Sequence, residues 1–228
     1  DGTKTHRLVL EGLFGLSDRV TSTADLMKRD QLTQLKIKIL ALKHESCKFA
    51  NYQDEMEYIV THNKRNTFIK NLVSDLKGNT LVLFNYVEKH GEPLFDLINN
   101  TISDTKKVFF VHGGVAASER EEIRRLAELN DNCVIIASYG TFSTGINIKN
   151  LHNIIFASPS KSRIRNLQSI GRVLRKGDNK AQAVLYDIAD DFSRGSYINY
   201  TLNHLKERIK VYNEEQFNYE IIPVNIKK

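Results

Sequence analysis

Five short apolar runs recur along the chain: LVLFNYV at 81–87, KVFFV at 107–111, CVIIAS at 133–138, NIIFAS at 153–158 and QAVLYDI at 182–188. Rich in Val, Ile and Phe, they read as strands buried on both faces. Helical patterns lie between them, EKHGEPLFDLINN at 88–100, SEREEIRRLAELN at 118–130 and SRIRNLQSIGRVLRK at 162–176. Strand, helix and strand repeated at this interval predict an α/β fold with a mostly parallel sheet flanked by helices. Two further helices are predicted upstream, over 53–62 and 64–77, the second closed by Lys77-Gly78 as a C-terminal glycine signal. LTQLKIKILAL at 32–42 alternates like a strand that joins the sheet edge.

After Asp191 the rhythm changes: residues 196–216 read as one long amphipathic helix, followed by an extended tail, FNYEIIPVN. The expected division is a connector over 1–30, the main domain over 31–192, and an appended C-terminal helix and tail over 193–228. No repeat or low-complexity linker interrupts it, and Pro occurs three times in the chain.

With 41% hydrophobic and 26% charged residues among 228, the composition suits one sizeable core. No apolar run reaches the roughly 18 residues of a membrane span, and the first residues lack the layout of a signal peptide. The expectation is a soluble intracellular protein, in the host cytoplasm if a phage encodes it. Because the chain begins with Asp, it is expected to be processed or trimmed. Cys47 and Cys133 are too few for a disulfide framework or a zinc site.

Net charge is +6, but residues 132–177 contain no Asp or Glu, whereas an even spread of the chain's acids would place about five there. That window holds Lys149, Lys161, Arg163, Arg165, Arg172, Arg175 and Lys176. A polyanion is the partner such a field suits: nucleic acid, nucleotide phosphate, or both. The alternative is a solvated basic face neutralised by acids folded in from elsewhere.

In an open parallel sheet, ligands sit beyond the carboxyl ends of the strands. His112, Gly113 and Gly114 follow the second strand, SYGTFSTGINIKN at 138–150 the third, and the Ser158–Ser162 turn the fourth. These segments should share one rim. Glycines there allow close approach and the hydroxyls of Ser138, Thr141, Ser143 and Thr144 suit phosphate oxygens, unless they serve as plain turns and helix caps.

In QSIGRVLRKG at 168–177, Gln168, Arg172 and Arg175 fall on one helix stripe. Helical arginines often lie along the surface in water, but two forks three residues apart can grip a phosphoryl group from one side. Gly171 costs a helix about 1 kcal/mol relative to Ala, which predicts close packing against another backbone. No phosphate loop of the form GxxxxGK[ST] occurs, and no acidic metal-binding motif follows an apolar strand. The chain should therefore not hydrolyse ATP alone.

These residues carry a resemblance. QSIGRVLR resembles motif VI of the superfamily 2 helicases and translocases, IIASYGTFSTGINI their motif V, and LVLFNYV and FFVHGGVAASER their motifs IV and IVa, in the same order and spacing. The likeness covers roughly residues 30–192 as a second, RecA-like lobe, and DGTKTHRLVLEGLFG resembles the segment after motif III. It implies that Arg172 and Arg175, with Gln168 beside them, reach ATP phosphates across a cleft. It places Gly145 and Asn147 by the ribose, and His112, Gly113, Thr141, Ser143 and Thr144 on the nucleic-acid backbone. Asn147 departs from the Asp that many of these helicases carry. The implied partner is an N-terminal RecA-like lobe holding the phosphate loop and Mg2+, in an ATP-dependent enzyme acting on branched DNA. The competing reading is a non-enzymatic nucleic-acid-binding module using the same basic rim.

Overall fold

The computed structural model describes residues 8–9, 11–13, 15, 22–145, 148, 150–175 and 182–226, without the side chains of 143–145 and Ile164. Seven strands form one sheet in the order β3-β4-β2-β5-β6-β1-β7, and every neighbouring pair is parallel. They are β1 (Gln34–Lys43), β2 (Thr80–Phe84), β3 (Lys107–Val111), β4 (Cys133–Ser138), β5 (Asn153–Phe156), β6 (Gln182–Asp191) and β7 (Tyr219–Asn225). The described helices from Thr23 onward are α1 (Thr23–Lys28), α2 (Tyr52–Thr61), α3 (Asn63–Asp75), α4 (Glu92–Ile102), α5 (Ala117–Leu129), α6 (Tyr139–Gly145), α7 (Arg163–Val173) and α8 (Tyr200–Glu214).

Strand alternation divides the core between the two faces. Leu81, Leu83, Ile135 and Ala137 meet Ile123 of α5, Phe142 of α6, Ile170 and Val173 of α7 and Leu205 of α8. Val82, Phe84, Val134 and Ile136 meet Ile69 and Val73 of α3 and Leu94 and Ile98 of α4. Because helices cover both faces, the central strands carry apolar side chains at successive positions.

Two expectations are corrected. The strand expected at the sheet edge, β1, lies between β6 and β7, because the extended tail pairs with it in parallel from Ile37↔Tyr219 to Lys43↔Asn225. Edge position suits this tail, since Pro223 has no N–H to give a further strand. The helix expected from residue 88 opens instead as a π-helical turn, Val87–Gly91, before α4 begins. There a Cβ on Gly91 would lie 2.5 Å from the Phe84 ring, so only glycine lets the turn close onto β2. Within α2, Glu55 is fully buried and its carboxylate accepts from the N–H groups of Tyr200 and Thr201, both at 2.8 Å. It thereby caps α8, whose N-cap residue Asn199 makes no side-chain capping bond.

Two buried ion pairs fasten the end of β6. Asp187 accepts from Arg208 Nε and from the Tyr212 hydroxyl, each at 2.8 Å, while Arg208 also donates to the Ser160 carbonyl at 3.2 Å. Asp190 accepts from Arg65 Nε and meets His44 Nε2, each at 2.8 Å. Burial pushes Asp190 upward, but the Arg65 charge and the His44 hydrogen bond outweigh it and hold the carboxyl at about 2. Replacing Arg208 with Met strands Asp187 in the interior. The expected loss is about 3–5 kcal/mol, read as the change in urea-unfolding free energy; a loss below about 1 kcal/mol would show that the pair anchors nothing.

Candidate nucleotide and nucleic-acid site

Parallel pairing puts the carboxyl ends of all seven strands on one rim, and the first polar segments assemble there as the sequence implies. His112 follows β3, half-buried beside the Phe110 ring at 5.2 Å, and its Nδ1 accepts from the Gly114 N–H at 3.2 Å. Gly113 is exposed and a Cβ there would meet nothing within 4 Å, so its backbone faces open space. Thr141 follows β4 but is buried. It accepts from the Ser138 hydroxyl at 2.9 Å, and its N–H donates to Ser138 Oγ at 3.3 Å, the helix-capping use that the sequence left as an alternative. Gly145 ends α6. Asn147 and the side chains of Ser143 and Thr144 lie outside the described residues.

Next along the rim comes Asn85, after β2, whose N–H donates to Ser158 Oγ at 3.2 Å. The same hydroxyl meets buried His90 Nδ1 at 3.0 Å, and Tyr139 donates to the Ser158 carbonyl at 3.2 Å. Burial, helped by the Arg65 charge, depresses His90 to about 3. None of these fixing contacts is signalled by local periodicity.

From this rim α7 departs. Ser162 caps it by accepting from the Arg165 N–H at 3.4 Å, and Ile170, Val173 and Leu174 bury its inner face. Gln168 and Arg175 are exposed and Arg172 is half-buried; α7 ends at Val173 with Leu174 as its C-cap, so Gln168 and Arg172 share the helix while Arg175 lies just beyond it. Helix α7 runs back across the sheet, carrying Arg172 about 15 Å from Ser162 along its axis. Its far end meets the residue before β1: the Thr33 N–H donates to the Leu174 carbonyl at 2.9 Å. Gly171 is exposed and a Cβ would meet nothing within 4 Å, so the predicted close packing is absent around it among the described residues.

Arg172 rests over the Phe142 ring at 5.5 Å. Burial lowers its pKa, and the positive charge of Arg175 lowers it further. A guanidinium fork braced on an aromatic face, with a second arginine close by, suits a phosphate ligand. Phe142 was not singled out in the sequence, although it is the one large apolar side chain in the small, polar run TFSTG.

The basic window is shared among several uses. Arg163 pairs with Glu214 and Glu215 of α8, so for this residue the acids are indeed folded in from elsewhere. Arg165 is exposed, 3.4 Å from Asn85 Oδ1 and 5.8 Å from the Tyr139 ring. Lys149 and Lys176 lie outside the described residues.

A RecA-like parallel sheet with these motif segments in order defines the C-terminal lobe of a superfamily 2 helicase. The chain belongs to the helicase conserved C-terminal domain family, whose model matches residues 63–177. It is 37% identical to the ATP-dependent DNA helicase uvsW of Enterobacteria phage T4, over 98% of this chain and 47% of the relative. The chain thus spans about half the length of that helicase. The crystal structure of T4 UvsW superposes with a TM-score of 0.72 at 36% identity, covering 86% of this chain and 42% of that one. The Type ISP restriction-modification enzyme LlaBIII, in a structure bound to DNA, shares the fold with a TM-score of 0.63 at 18% identity, over 94% of this chain and 17% of that one.

A histidine held neutral below its unfolded pKa adds stability that is complete above about pH 6.5 and fades as pH falls toward its folded value. For His90 that window runs from about 6.5 down to about 3. Unfolding free energy should fall by about 2 kcal/mol less in His90→Gln than in the parent between about pH 7 and about pH 5, by urea titration at both. Equal losses in both proteins would show that His90 is not the group responsible.

Proposed function

We propose that this chain is the second motor lobe of an ATP-dependent DNA helicase acting on branched DNA, and that it works only with a first lobe that holds the nucleotide. The observation that carries the reading is Arg172 in the last turn of α7, seated on the Phe142 ring with the positive charge of Arg175 beside it. During phosphoryl transfer, charge spreads over the equatorial oxygens of the transferring group, and a guanidinium fork aimed there stabilises it. Arg172 and Arg175 supply that fork, with Gln168 one turn before them. The family resemblance assigns Gly145 and Asn147 to the ribose. Mg2+ neutralises triphosphate charge when bound, and it belongs to the first lobe: here Asp187 and Asp190 are committed to Arg208 and Arg65.

On the rim, His112, Gly113, Thr141, Ser143 and Thr144 belong to the surface that meets the DNA backbone, with Thr141 acting through the turn it caps. Phe142, on which Arg172 rests, stands between Thr141 and Ser143, so one short segment joins the phosphate grip to the DNA track. Support for DNA and for ATP comes from the name of the T4 relative, an ATP-dependent DNA helicase.

In the complete helicase, Arg172→Ala should lower ATP turnover by a factor on the order of 10³ or more. Arg172→Lys should recover little, because an ammonium cannot reproduce a fork. Steady-state ATPase assays, with thermal unfolding as a check on folding, decide the matter. Turnover close to the parent's would overturn the assignment.

A further inference from the structure

Beside the rim segments already named lies a concavity of about 440 Å3 lined by Tyr52, Asn85, Lys161, Arg165, Tyr200 and His204, together with the Pro159–Ser162 backbone turn. Among the described residues, no acidic side chain lines it. Lys161 and Arg165 are exposed and basic, and Lys161 makes no ion pair among the described residues. Opposite them stand aromatic rings: Tyr52 packs against His204 at 5.0 Å, and Tyr200 is 39% exposed with its hydroxyl donating to the Ala50 carbonyl at 3.3 Å. His204 Nδ1 is buried without a hydrogen-bond partner among the described residues. These groups come from α2, from the loop after β5, from the first turns of α7 and from α8, so several elements build the pocket and no single run of sequence does.

The geometry points to a binding site for one unstacked nucleotide of the DNA strand, its phosphate on Lys161 and Arg165 and its base against Tyr52 and Tyr200. Aromatic faces beside a positive groove are how single strands are held without sequence preference. Position supports this ligand. From His112 after β3 to Lys161 after β5 the rim crosses three strand spacings, about 14 Å, so a strand lying on the rim continues directly into the pocket. Burial and the neighbouring charges of Arg208 and Lys161 depress the basicity of His204, a crowding that an arriving phosphate relieves. The inference rests on the reading of this chain as a DNA-tracking lobe and adds to it a site that, Asn85 apart, lies outside the motif segments.

The test is photocrosslinking of the complete helicase to an oligothymidylate carrying 5-bromodeoxyuridine, with the adducts mapped by peptide mass spectrometry. Adducts on Tyr52 or Tyr200, suppressed by unlabelled oligothymidylate but not by ATP, support the pocket. Suppression by ATP overturns it in favour of a nucleotide site, and adducts confined to other residues overturn it outright. Two variants give a second measurement. Lys161→Gln should reduce the slope of log affinity against log salt by about 0.7, the loss of one single-strand phosphate contact. Tyr52→Leu should weaken oligothymidylate binding by about tenfold. Unchanged slope and affinity in both variants would remove the pocket while leaving the helicase reading to its own ATPase test. Absence of DNA binding by the parent enzyme would remove both.

Discussion

Two carboxylates on one strand, Asp187 and Asp190, set the geometry of the sheet's carboxyl end. Each draws in a guanidinium group from a different helix, Arg208 from α8 and Arg65 from α3, and each of those arginines also donates to a backbone carbonyl just after β5, Ser160 and Ala157. The loop that launches α7 is therefore gripped from both sides by buried charge. Such pairs contribute little net stability compared with well-packed apolar residues, because desolvation offsets their attraction. What they fix is position: they hold the start of α7 and the rim around Lys161 in one place.

Much of the fold is legible in the sequence for a physical reason. A strand buried on both faces has to be apolar at successive positions, so β2, β4 and β5 stand out as runs, and the helices between them follow from their period. Position within the sheet is not encoded locally. The neighbour of β1 comes from a tail more than 170 residues downstream, and the cap of α8 comes from Glu55, about 145 residues before it. Residue types at helical spacing singled out Gln168, Arg172 and Arg175; the end of α7 at Val173, which leaves Arg175 beyond the helix, was not legible because Leu174 and Arg175 continue the same apolar and basic pattern. Thr141 shows the limit of reading hydroxyls singly, since its side chain is spent on the turn.

The acid-free window is consequently not one patch. The first turn of α7 hands Arg163 to Glu214 and presents Arg165 beside the Tyr139 ring, and the last places Arg172 over Phe142. A single charge count along the chain becomes three environments because the helix turns them in different directions. Identity to the T4 helicase covers nearly the whole chain, and the family match spans α3 through α7, the elements that carry these arginines.

The tail strand β7 carries an implication for trimming this protein. Without it, the ten-residue β1 would lose its outer neighbour and expose a long, straight row of open amide and carbonyl groups from Ile37 to Lys43. That row is a ready template for a stranger's backbone, and unlike β7 it contains no proline to refuse the pairing. Shortening the chain ahead of Tyr219 thus trades a guarded border for an adhesive one.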